Sequence, residues 1–241
     1  MSDLSNAPIM SGGPEPFYKV WIKALTRPNE QTFAELAASP SAKATTGYLW
    51  YFIAALVQFF FASLIQNAAM QQMMQQFSGE YSQFSSGGGF FSNLITAVCG
   101  APIAAGVGTL MFALMVAVVQ WVAKMFGGRG TNDQMVYAMS AILSPILLVG
   151  AILTLFSAIP FVGLCFGIVS LLISLYGLVL EVMAVKGVNQ FGWGAALGSL
   201  FIPLLTILCV CGCLVIGSLM LMGPVIGDVF SGINQSLQNV P

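Results

Sequence analysis

From Gln134 to Leu180 the chain carries no Asp, Glu, Lys or Arg, and from Phe90 to Ala123 the same is true. Uncharged runs of this length leave few folding options. A bilayer core of ~30 Å needs about 20 apolar helical residues, and the backbone must satisfy its own hydrogen bonds there. Composition agrees: 58% of the 241 residues are hydrophobic and 6% are charged, against roughly a quarter charged in an ordinary soluble domain. The sequence therefore predicts an all-α, polytopic membrane helical bundle.

Breaks in the apolar pattern divide it into five transmembrane helices. Residues 1–16, rich in Pro, Gly and Ser, read as a disordered N-terminus with no cleavable signal. Residues 17–45 read as two short amphipathic N-terminal helices, one stopped by Pro28 and one carrying Phe33, Leu36 and Ala37 on a single face. The five-helix domain is expected over 46–223. Its spans fall near 46–68, 101–123, 134–156, 161–183 and 195–222. Residues 69–89 are polar and end in glycines. Gly100 and Pro102 are expected to split residues 90–100 off as an interfacial segment, and 184–194 to form a glycine-rich loop. A short tail, 224–241, closes the chain.

The basic residues orient this arrangement. Lys19, Lys23, Arg27, Lys43, Lys124, Arg129 and Lys186 are the full set of seven. With five spans and the N-terminus inside, all fall on the cytoplasmic side, as the positive-inside bias requires. The expected localisation is a multi-pass integral membrane protein with a cytoplasmic N-terminus and an extracytoplasmic C-terminus.

Chemistry is sparse. The absence of histidine removes the commonest base and metal ligand, and no catalytic, cofactor or metal site is expected. Cys209, Cys211 and Cys213 do not share one helical face, and with Cys99 and Cys165 they read as small buried side chains. Glu181 is the one acid inside a predicted span. With Gln58 it is the candidate polar intramembrane pair, Glu181 being expected near the interface; Gln58 and Gln120 are read as helix glue. Gly163, Gly167, Ser170, Ser174 and Gly177 recur at helical spacing as a candidate helix-packing stripe, with Gly100, Ala104 and Gly108 as a second. Phe17, Lys19, Trp21, Lys23 and Arg27 are the candidate membrane-surface contacts, aromatic rings in the interface and cations at anionic headgroups.

Several segments resemble the Yip domain family, prokaryotic-type branch: ALTRPNEQTFAELA ahead of the first span, GGRGTNDQMVYAMSAILSP entering the third, and LEVMAVKGVNQFGWGAA between the fourth and fifth. The resemblance covers roughly residues 17–222. It implies a non-enzymatic Yip-like protein acting in membrane organisation or trafficking as an adaptor or membrane-shaping factor. The eukaryotic Asp-Leu-Tyr-Gly-Pro element is missing; Ser-Leu-Tyr-Gly at 174–177 is a faint echo, which counts against Rab-type GTPase binding. Expected partners are the lipid bilayer and other membrane proteins reached through small-residue helix faces, with no nucleic acid. The competing readings are a channel or transporter component, and an accessory subunit of a larger membrane complex.

Overall fold

The computed structural model describes residues 15–78, 90–157 and 162–238. Its elements, in chain order, are α1 (Phe17–Thr26), α2 (Glu30–Ala38), α3 (Ala44–Ser78), α4 (Phe90–Met125), α5 (Asn132–Ser157), α6 (Val162–Asn189) and α7 (Trp193–Gln238). No strand occurs among the described residues. Five helices are long and apolar enough to cross a membrane, through Ala44–Ile65, Leu94–Met125, Asn132–Phe156, Cys165–Asn189 and Trp193–Met220. The chain is an integral, multi-span helical membrane protein. Residues 1–14, 79–89, 158–161 (where the sequence reading put a turn) and 239–241 lie outside the described residues.

Two compact units are present, Met1–Ser199 and Leu200–Pro241. In the first, α3 packs against α4 and α5, and α5 against α6. Lipid offers no hydrophobic drive between helices, so close approach depends on small side chains. On α4 the seam is Ala97, Ala101 and Ala105, all at most 2% exposed. It lies one residue on from the expected Gly100, Ala104 and Gly108. Gly100 is exposed, and of that trio Gly108 alone approaches a neighbouring ring: a Cβ there would sit 3.1 Å from Phe59. Between α3 and α5 the close approaches are Gly47 beneath Ser140 and Val136, and Gly150 beneath the Gln58 amide. The second unit is the remainder of α7. Within it Leu205, Leu208, Leu214 and Leu219 are exposed.

Four boundaries differ from the sequence reading: α3 runs on to Ser78 and α7 through the expected tail to Gln238, and the other two lie in α4 and α6. α4 runs unbroken through Gly100, with Pro102 inside it. A proline costs one backbone bond and crowds the preceding turn, but transmembrane helices accommodate it. Residues 90–100 are therefore the first turns of α4, not a separate interfacial segment. Likewise, α6 continues to Asn189, so the expected loop at 184–194 shrinks to Gln190, Phe191 and Gly192. Gln190 closes α6 at φ 54°, its N–H reaching the Lys186 carbonyl at 2.8 Å. A residue in this left-handed region is a common helix stop.

The cysteines correct another expectation. All five are free and exposed on the chain's surface rather than buried in packing. In an apolar span, a small weakly polar side chain is tolerated on the outside.

Candidate functional site

The seven basic residues gather at one end of the first unit, where α3 and α5 begin and α4 and α6 finish. What builds this end is a pair of short helices and a buried amide lock. α2 lies on α5 and α6, and α1 lies on α5. The apolar face of α2 was legible in the sequence. Asn29 caps the helix by accepting from the Gln31 N–H, and Phe33, Leu36 and Ala37 are buried, Phe33 completely.

Gly187 permits that docking. A Cβ on it would collide with the Glu30 carbonyl and come within 2.9 Å of the Phe33 Cβ. On either side of this approach, Lys186 pairs with Glu30 and lies over the Trp193 ring, 4.2 Å from its centroid. Gln134 ties the far end of α2, donating from Nε2 to the Ala37 carbonyl at 3.0 Å. The same side chain closes a capping box: Gln134 Oε1 accepts from the Thr131 N–H, and Thr131 Oγ1 accepts from the Gln134 N–H.

Below lies the lock. Asn189 and Gln120, 0% and 2% exposed, hold each other by two amide bonds of 2.9 and 3.2 Å. Gln120 Nε2 also donates to the Gly130 carbonyl at 2.7 Å, Asn189 Nδ2 donates to Val185, and Asn189 Oδ1 accepts from the Gly130 N–H. Each amide is thus satisfied on both ends, which a buried polar group requires. The lock fastens the end of α4, the 126–131 turn and the end of α6. Gly128 and Gly130 lie so near the Asn189 amide that side chains there would displace it.

α1 is held differently. Val20 and Ala24 are buried, and Trp21 meets Trp50 edge-on at 5.9 Å. Trp50 in turn lies 5.0 Å from Tyr137. Lys23 pairs with Glu35 of α2 at 2.8 Å. At the far end the Tyr176 hydroxyl donates to the Leu25 carbonyl at 2.5 Å. Of the sequence-derived surface set, Phe17, Lys19 and Arg27 are exposed, whereas Trp21 is half-buried against Trp50 and Lys23 pairs with Glu35 at the surface. Tyr18 and Ile22, 50% and 58% exposed, were not in that set.

Elsewhere, Gln58 Nε2 lies 3.4 Å from Thr154 Oγ1, linking α3 to α5. Glu181 is half-buried on α6, well apart in sequence from Gln58's α5 partner. Of the α6 stripe, Gly177 fits against Ile146, while a Cβ at Gly167 would meet nothing within 4 Å. Gly163 and Ser170 are half-buried, and Ser174 is exposed, its hydroxyl turned back to the Ser170 carbonyl. No cluster of three or more metal-ligating side chains occurs among the described residues.

These features define a class: a multi-pass helical membrane protein with a structured, basic end built from two short helices and a buried amide pair. The Yip1 domain matches residues 22–215. The chain belongs to the Yip1 domain family. No curated protein and no solved structure is significantly similar to it.

Proposed function

We propose that this Yip1-domain protein works without catalysis, as an adaptor that organises membrane partners from the cytoplasmic face of a prokaryotic plasma membrane. The observation that carries the reading is the docked α1–α2 pair. Two helices ahead of the first span are fixed in place by Glu30–Lys186, Lys23–Glu35, Tyr176–Leu25 and the buried Phe33. A rigid platform of this kind costs a partner little ordering entropy. The basic residues gathered there favour the cytoplasmic side.

Beside α2 lies a shallow cleft of about 170 Å³, lined in part by Ala34, Ala38, Arg129 and Gln190. It is too small for a typical drug-sized ligand, whose pockets run from ~300 Å³, but it gives the platform relief that a partner side chain can enter. Photo-crosslinking tests the reading. A benzophenone amino acid at Gln31 or Ala38, both exposed, is expected to yield one discrete protein adduct in intact cells, and the same probe at Leu171 none. Equal labelling at all three positions, or ion flux through the purified chain in vesicles, would overturn the adaptor role.

A further inference from the structure

The Tyr176–Leu25 bond fixes how deep α1 sits. Tyr176 is thirteen residues from Asn189, the end of α6, so its Cα lies about 20 Å below that tip at ~1.5 Å per residue. The apolar span Cys165–Asn189 is 25 residues long. At that rise it exceeds the ~30 Å hydrocarbon core by only about 7 Å. The headgroup layer adds about 5 to 7 Å on each side. Tyr176 lies within that apolar span, so the bond holds the Leu25 end of α1 against the span and not beyond it. Trp21 and Trp50 say the same for its middle: Trp50 is six residues into the first apolar span.

The outward side of α1 suits that position. Tyr18 and Ile22, one helical turn apart, are half exposed, as is Phe17 beside Tyr18, and their outer sides are left open by the described residues. Lys19 and Arg27 are exposed and enter no ion pair among the described residues, whereas Lys23 is occupied by Glu35. Apolar and aromatic groups on one flank with free cations on the other match the chemistry of an anionic lipid surface.

We propose that α1 is an interfacial lipid-binding helix. Phe17, Tyr18 and Ile22 enter the headgroup–acyl boundary, and Lys19 and Arg27 hold the phosphates of anionic lipid. The inference deepens the adaptor role and rests on it only for which leaflet is met. It gives the leading contacts to residues without a partner in α2 or α3, since Trp21 packs on Trp50 and Lys23 pairs with Glu35.

The test is hydrogen exchange of Phe17–Thr26 in the full-length protein, embedded in nanodiscs of phosphatidylcholine with or without phosphatidylglycerol. Two basic residues at ~1 kcal/mol each correspond to up to about 30-fold slower exchange in the anionic discs. The Lys19→Ala/Arg27→Ala variant should lose that difference, and Lys23→Ala should keep it. Ile22→Ser should speed exchange in both lipids. Unchanged exchange at Glu30–Ala38 in the Lys19→Ala/Arg27→Ala and Ile22→Ser variants certifies the fold; Lys23→Ala, which also frees Glu35, is judged on the lipid difference in α1 alone. Equal exchange of wild type in the two lipids would overturn the proposal, as would loss of the difference in Lys23→Ala alone. Slowing by free inorganic phosphate in the zwitterionic discs would assign the cations to an anion site instead. The α2 crosslinks do not depend on lipid charge, so failure here and failure of the adaptor reading are separable.

Discussion

Replacing Gly187 by alanine tests the docking of α2 most sharply. The added Cβ would strike the Glu30 carbonyl, come 2.9 Å from the Phe33 Cβ and 3.2 Å from the Ala34 nitrogen. Two of these three atoms belong to the backbone, so no side-chain rotation relieves the clash. α2 must lift as a body from α6, loosening the Glu30–Lys186 pair and uncovering Phe33. Overpacking of this kind costs about 1 to 3 kcal/mol. Against it stands the gain of up to about 1 kcal/mol that Gly to Ala brings in a helix interior. A net loss of up to about 2 kcal/mol is expected, which favours local opening by up to roughly 30-fold. Hydrogen exchange of Glu30–Ala38 in detergent or nanodiscs reads this directly. Gly167→Ala is the control: nothing lies within 4 Å of its Cβ, so it should leave exchange unchanged and hold or raise the melting temperature. If Gly187→Ala protects α2 as well as wild type does, the close approach is not what seats the helix.

Two further substitutions probe the polar contacts. Asn189→Ala removes an amide whose partners, the Gln120 side chain and the Gly130 N–H, are buried, and each orphaned group costs about 1 to 3 kcal/mol. Thermal unfolding should show a clear loss, with faster exchange in the 126–131 turn; an unchanged melting temperature would deny the lock its role. Gln58→Leu should lie within about 1 kcal/mol of wild type in stability. Its one bond to Thr154 is long, its Oε1 is buried without a partner, and interhelical hydrogen bonds in membranes average ~0.6 kcal/mol. Severe destabilisation of that variant would contradict this.

The spans were legible because lipid imposes a simple rule: apolar length. Charge-free runs located the five helices, and the apolar spacing of Phe33, Leu36 and Ala37 foretold the buried face of α2. Details set by tertiary contact were not legible. A polar stretch, Lys186 to Asn189, reads as a loop until Glu30, Trp193 and Gln120 are there to neutralise it. α1 shows the same limit. Its helical amphipathicity is plain, but whether Lys23 faces lipid or Glu35 depends on where α2 lies. Gly187 resembled a loop glycine, and only the neighbouring Glu30 carbonyl reveals it as a packing position. The Thr131-x-x-Gln134 capping box was a readable signal for the start of α5. Tyr176 and Gly177 of the Ser-Leu-Tyr-Gly segment carry structural duties, toward Leu25 and Ile146.

The central claim is a five-span bundle whose basic, helix-capped end faces the cytoplasm. Side-specific labelling of single cysteines, in a background with the five native cysteines replaced, tests it most directly. Probes at Lys19, at Arg129 in the 126–131 turn and at the C-terminal Pro241 suffice. The account predicts that an impermeant maleimide added to intact cells modifies the Pro241 probe alone, and that the other two react only once the inner face is opened. Reaction of the Lys19 and Pro241 probes from the same side would mean an even number of spans, and would contradict it.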